Sequence, residues 1–402
     1  MNEINLTKFK KYLWMLMVVF LIVRPQCIIS VYPGSVLFFY MIYAAITVLC
    51  FSLYNEMILH DLFIMSVILF YTYDLINTVL QNSASPKVVI AAAIWVLFSI
   101  IIIACQISRY GFKDTVYELS ICFGLILWLN CILIVVFPDG LLSILGGAGR
   151  FIPIYFIGQT NQLSIFFVFE VILVACNYCV QKKLSLAYLL FTLGPWPVSF
   201  VVLGSSNRSM TGTIAGALLI IGYLLYKFLP FAVRKIATPV VSTVLIIILF
   251  VGLTRILAME SVSRFIQDVL NKDVTLSERT TIWEQAYIAL SDIKAFIFGM
   301  GEATGGAYIT IWTGHTFSAH NIILQVMLLG GIVLLTIFIV PIIKTIKIIG
   351  SLSDIRAKAV LSICMFVFFL MNMLEVYYYP MVFLTLYIFY QTGIYLSAST
   401  NN

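Results

Sequence analysis

Ala319-His320-Asn321-Ile322-Ile323-Leu324-Gln325, continuing VMLLGGIVLLTIFIV to Val340, is the stretch whose reading decides the fold. Beyond Asn321 only Gln325 and Thr336 are polar. A membrane span needs about 20 such residues, so this is a transmembrane helix with a histidine and an asparagine at its mouth. Upstream, residues 277–321 form the one long polar interval of the chain. They hold Ser277-Glu278-Arg279-Thr280-Thr281-Ile282-Trp283, the glycines Gly299, Gly301, Gly305 and Gly306, and two of the three histidines, His315 and His320.

Outward from this interval the chain is nearly all membrane. Of 402 residues 62% are hydrophobic and 10% charged, with a mean hydropathy of +1.08. Soluble domains carry about 25% charged residues, and a chain this apolar cannot cover itself with polar surface. Apolar runs predict about twelve spans, at 12–30, 35–53, 60–80, 88–107, 118–137, 162–180, 184–203, 211–229, 237–257, 319–340, 359–376 and 380–397. No internal repeat is visible. The expected architecture is a single all-α polytopic membrane domain over 1–402, with one long, partly helical extracytoplasmic loop, 258–318, between transmembrane helices 9 and 10.

Charge sets the orientation. The net charge of +6 does not point to nucleic acid, because excess Lys and Arg in a polytopic protein marks cytoplasmic loops. With the N-terminus inside, the inner loops hold 14 basic residues, from Lys8 to Lys358, and the outer side 9, so both termini are expected in the cytoplasm. The outer set is arginine-rich: Arg24, Arg150, Arg208, Arg255, Arg264 and Arg279 are six of the nine arginines. A guanidinium grips phosphate oxygens with two parallel N–H donors, where an ammonium is a point charge. Snorkelling to the interface is the plainer use for any one of them.

The eight cysteines fall mostly in apolar runs and read as small buried hydrophobes; Cys176 and Cys179, spaced C-x-x-C, lack the second pair of a zinc site. The first apolar run follows Lys8, Lys10 and Lys11 without a small-residue cleavage site and reads as a span rather than a signal peptide.

Within the polar interval, Ser277 suits a helix N-cap and Glu278 the first turn. Ile282, Ala286 and Leu290 then share one helical face, and a second helix is expected at 262–270. The glycines end these helices. His320 is the best candidate general base, since imidazole titrates near working pH; His315, five residues earlier, makes no zinc motif with it. Asp74, Asn130, Glu170 and Glu375 are polar residues in or near spans, a pattern that marks function by default, although here they are scattered. The outer loops hold no Asp-x-Asp pair to seat a metal on a diphosphate, so arginines would have to handle phosphate there. The short inner loops leave no room for a nucleotide-sugar domain.

These motifs together carry a family resemblance. Residues 277–283, then Phe298-Gly299-Met300-Gly301, then Ala319 to Gln325 and Gly330-Gly331, resemble the shared C-terminal module of O-antigen ligases and O-antigen polymerases (Wzy-type). Gly204-Ser205-Ser206-Asn207-Arg208-Ser209-Met210-Thr211-Gly212 resembles the family's Ser/Arg turn. Gly158-Gln159-Thr160-Asn161-Gln162-Leu163 resembles its Asn-containing segment, with Thr160 where members often have Pro.

The resemblance implies a GT-C-like membrane glycosyltransferase in the bacterial cytoplasmic (inner) membrane, with its active site on the extracytoplasmic side and no cofactor or metal. His320 would activate the acceptor hydroxyl. Arg208 and Arg279 would grip the diphosphate of an undecaprenyl-diphosphate-linked oligosaccharide, and Asn321, Arg150 and Asn161 would be further substrate contacts. Membrane lipid, a chain-length regulator and a flippase are the implied partners. The favoured activity is a metal-independent, inverting repeat-unit polymerase of O-antigen, capsule or exopolysaccharide. The alternatives are an O-antigen ligase acting on lipid A-core and, from another class, a flippase or transporter of lipid-linked oligosaccharide. If Arg279 and His320 were far apart in the fold, the enzyme reading would fail.

Overall fold

The computed structural model describes residues 3–83, 86–145, 151–204, 235–257, 279–303, 309–310, 316–376 and 379–400. Of the described residues 83% are helical. Its helices run α1 (Glu3–Val23), α2 (Gln26–Val31), α3 (Ser35–His60), α4 (Leu62–Gln81), α5 (Pro86–Tyr110), α6 (Phe112–Val136), α7 (Thr160–Gln181), α8 (Leu186–Leu193) and α9 (Pro195–Gly204). After these come α10 (Pro239–Leu257), α11 (Arg279–Ala289), α12 (Ile293–Phe298), α13 (Ile322–Gly350), α14 (Ile355–Leu374) and α15 (Tyr379–Thr400).

Eight described helices are long and apolar enough to cross a membrane: α3, α4, α5, α6, α7, α13, α14 and α15. The other four expected spans divide. The run 12–30 falls on α1 and α2, broken at Arg24-Pro25, where proline cannot continue the hydrogen-bond ladder. The run 237–257 is α10, whose apolar stretch is shorter, and 211–229 lies outside the described residues. The run 184–203 is two short helices. Pro195 has no N–H to offer the carbonyl of Phe191, and the indole Nε1 of Trp128 donates to that carbonyl instead, at 2.7 Å.

The expectation of an all-helical chain needs one amendment. Within 138–161, β1 (Leu142–Leu145) and β2 (Phe151–Ile154) pair antiparallel, and β3 (Ile309–Thr310) pairs with β4 (Thr316–Phe317). Both strand pairs lie between helices, in segments too short in apolar sequence to form a span.

One large apolar core joins the helices, with Phe63, Phe70, Phe123, Phe169, Phe368 and Phe389 all buried. Polar side chains in it act as ties. The Asp61 carboxylate caps α4 by accepting from the Phe63 and Ile64 N–H groups, and also accepts from Tyr387 and Gln391 of α15 at 3.2 Å. Ser120 donates to Glu170 at 2.6 Å and Tyr188 donates to Ser120 at 2.8 Å, linking α6, α7 and α8. Asn130 accepts from the Ile157 N–H at 3.2 Å. Each contact pairs a buried polar atom, as an apolar interior demands, while Asn130 Nδ2 and Glu170 Oε2 stay without a hydrogen-bond partner among the described residues.

Candidate active site

The interval before α13 is held against that helix by a break in it. Gly330 and Gly331 leave helical geometry, Gly331 at φ +62. The break frees the carbonyls of Leu328 and Leu329. They accept from the N–H groups of Met300 (2.7 Å) and Gly301 (3.0 Å), and Leu329 also accepts from the Asn77 amide of α4 (2.9 Å). The approach is close enough that a Cβ at Gly331 would lie 2.2 Å from the Ile297 carbonyl oxygen, and one at Gly299 would lie 2.5 Å from the Gly330 nitrogen. The two glycine pairs are therefore one packing device.

On that platform α11 runs from Arg279, and the expected face of Ile282, Ala286 and Leu290 is buried with Trp283 against Ala319, Leu324 and Leu328. Ser277, Glu278, the 262–270 stretch and His315 lie outside the described residues. The Trp283 indole donates to the Ala319 carbonyl at 3.0 Å, and the Ala319 N–H donates to the Gln325 side chain at 2.8 Å. Asn321 is the N-cap of α13: its Oδ1 accepts from the Ile323 and Leu324 N–H groups, and its Nδ2 donates to the Met373 carbonyl of α14. With no exposed surface and its amide bound on both sides, Asn321 serves the backbone.

His320 sits between these two fixed neighbours at φ +46. That region is uncommon for any residue with a side chain and costs on the order of 1–2 kcal/mol. The locked residues on either side hold it there. The imidazole Nδ1 lies 2.5 Å from Glu375 Oε1, and Arg279 Nη2 lies 3.0 Å from Glu375 Oε2. Glu375 ends α14, and its residue is 8% exposed. Burial pushes its carboxyl up, but the hydrogen bond and charge of His320 and the charge of Arg279 outweigh burial and hold it below the ordinary value. An ionised carboxylate only accepts hydrogen bonds, so Nδ1 is the donor to it, and in a neutral ring the lone pair would fall on Nε2.

His320 and Glu375 line a cavity of about 1050 Å³, together with Arg24, Tyr40, Lys87, Trp95, Gln159, Gln162, Ser318 and Tyr379. Arg279 does not line it and meets it through Glu375. The segment expected before α7 also reaches the cavity, through Gln159 and Gln162; the Gln159 N–H donates to the Gln162 side chain at 3.3 Å. Asn161 is in the first turn of α7 and its side chain lies outside the described residues, as do Arg208 and Arg150 altogether.

The arrangement thus brings Arg279 and His320 together, and does so through a residue the sequence offered only as one scattered polar residue among four. Of the other three, none appears in this cluster. Glu302 was missed altogether: its N–H donates to Thr78 at 2.9 Å, and burial raises its carboxyl to about 7. Among the described residues no group of three or more His, Cys, Asp and Glu could hold a metal. Chemically, the cluster is an imidazole and a guanidinium bridged by a carboxylate, facing a largely apolar cavity that carries a few polar side chains.

Residues 186–339 match the family model described as O-Antigen ligase. The match runs from α8 into α13, taking in Arg279 and His320 and stopping short of Glu375. No curated protein and no solved structure matches the chain. Over those residues the chain is similar to the O-antigen ligase family, and its apolar helices fit a multi-pass membrane protein.

Proposed function

We propose that this chain is a polysaccharide repeat-unit polymerase. It transfers glycan from a polyprenyl diphosphate to a sugar hydroxyl of a second lipid-linked repeat unit, at the outer face of the bacterial inner membrane. The observation that carries the reading is the Glu375 bridge between His320 and Arg279 at the wall of the cavity. His320 Nε2 takes the proton of the acceptor hydroxyl as that oxygen attacks the anomeric carbon, in one displacement with inversion. Glu375 positions the ring and stabilises the imidazolium as it forms. A diphosphate is a good leaving group once its charge is met, so fixed guanidinium groups supply most of the remaining stabilisation, and no second carboxylate is needed to protonate it.

Arg279 and Arg208 are the proposed diphosphate ligands. Arg279 gives Nη2 to Glu375, and in this reading it would engage phosphate while staying bridged. Asn321 positions His320 from within the backbone, and the long loop 258–318 supplies Arg279 to the site.

The family model's description favours a second reading, a ligase that moves finished glycan to lipid A-core. The donor chemistry is the same and only the acceptor differs. Deletion of the gene followed by gel analysis of surface glycan separates the two: a single repeat unit on the acceptor marks a lost polymerase, and full-length glycan left on its lipid carrier marks a lost ligase. A transporter reading is disfavoured by the built base. Normal surface polymer from His320→Ala, at normal protein level in the membrane, would sink both enzyme readings.

A further inference from the structure

The cavity wall that holds His320 also holds a cation that the reaction above does not use. Arg24 follows α1 at φ +48, a strained backbone for a residue with a side chain. Its guanidinium is fixed on two sides: it lies 3.7 Å over the ring of Trp95, and Nη1 donates to the Tyr40 hydroxyl at 2.9 Å. Its Nε is buried and has no hydrogen-bond partner among the described residues. Lys87 lines the same wall. Among the described residues the one carboxylate on the cavity wall is Glu375, and its two oxygens are already taken by His320 and Arg279. A stacked and preset guanidinium, a lysine and no acid of their own make a site for an oxyanion rather than for a neutral hydroxyl.

We infer that Arg24 is an oxyanion ligand of this cavity, taking a phosphate or carboxylate group of the glycan substrate that lies against His320. The identification of that substrate as a glycan rests on the proposed function; the anion site does not. Two sources share the chemistry: the diphosphate of a lipid carrier and the carboxylate of an acidic sugar. In either case Arg24 selects substrates by charge and leaves the proton transfer to His320.

The test uses the full chain in detergent, with inorganic pyrophosphate and glucuronate as separate probes, read by thermal shift and titration calorimetry. Wild type is expected to bind at least one probe. Arg24→Gln should weaken that binding by about tenfold or more, the scale of one charged hydrogen bond. A response to glucuronate assigns the site to an acidic sugar, and a response to pyrophosphate alone assigns it to a carrier diphosphate. Should Arg24→Gln melt early without any probe, Arg24→Lys keeps the charge and the stem over Trp95 and serves instead, with weakened binding again expected. Unchanged affinity for both probes in either folded variant, or no binding to wild type at all, overturns the inference. Polymer formation by His320→Ala is scored in parallel: loss of the anion site on Arg24→Gln with polymer intact in His320→Ala would retain Arg24 and discard the enzyme reading.

Discussion

The proposed chemistry turns on a triad of side chains from three distant parts of the chain: Arg279 opening α11, His320 before α13 and Glu375 closing α14. His320→Ala removes the base and should lower turnover by about 100-fold or more, measured as polymer formed by purified protein from lipid-linked repeat units. Glu375→Gln is the finer test. The amide keeps the size but can present its NH₂ to Nδ1 as a donor, which would favour the tautomer with its lone pair facing the wrong way. Turnover should fall by about tenfold or more with KM nearly unchanged, because the substrate groups still bind. A rise in KM alone would make Glu375 a binding residue. His320 was legible in the sequence as a base because imidazole chemistry and the mouth of a span coincide there. Glu375 was not, since nothing in its neighbours says that a carboxylate 96 residues after Arg279 returns to it. Intramembrane acids look alike in sequence; only packing shows that Glu170 is held by Ser120, and Glu375 by His320 on one oxygen and Arg279 on the other.

At the level of elements, α13 is a helix that breaks in order to hold its neighbour. The apolar period from Ile322 predicted the helix, and Asn321 as its cap follows from residue type. The break at Gly330-Gly331 was not predicted, because glycine pairs are common in membrane helices and each looks tolerable alone. Its meaning appears only when the carbonyls of Leu328 and Leu329 are seen to receive Met300 and Gly301. Gly331→Ala places a side chain at φ +62 with its Cβ 2.2 Å from a carbonyl oxygen, so it should cost about 1–3 kcal/mol and loosen the segment that carries Arg279. The unfolding midpoint in detergent and proteolysis between α11 and α12 would both report it. Gly350→Ala, at the end of the same helix with nothing closer than 4.0 Å, should be neutral. Equal effects from the two would mean that the cost is generic to α13 rather than due to the contact with α12. The split of α8 from α9 was written in Gly194-Pro195, yet the run read as one span because hydropathy ignores the donor that proline lacks.

Across the whole molecule, the two ends of the bundle differ in charge chemistry. His320 and Asp354 lie at opposite ends of α13; at the far end Asp354 pairs with Lys182, a contact between two loops that the charge count assigned to the inside. If that orientation holds, Ser318→Cys should be labelled in intact cells by a membrane-impermeant maleimide and Ser351→Cys should not, and the reverse pattern would invert the protein. Two buried carboxylates near the described site also set opposite pH dependences for global stability. Glu375 has a folded value below its ordinary one, so its contribution is present above the ordinary carboxylate range and is lost as pH falls through the folded value. Glu302, raised to about 7 by burial, binds its proton more tightly when folded. It therefore costs nothing well below the ordinary value of about 4.3 and lowers stability progressively as pH rises from there to about 7. Glu302→Gln should accordingly raise the unfolding midpoint at about pH 8 and leave it little changed in acid. Glu375→Gln should lower the midpoint at the same alkaline pH, with the loss shrinking as the solution is acidified. Midpoints measured in detergent across that range check both at once. A Glu302→Gln protein no more stable than wild type at alkaline pH would show that this carboxyl is solvated in the folded chain, and that the loop beside Thr78 stands open rather than packed on α4.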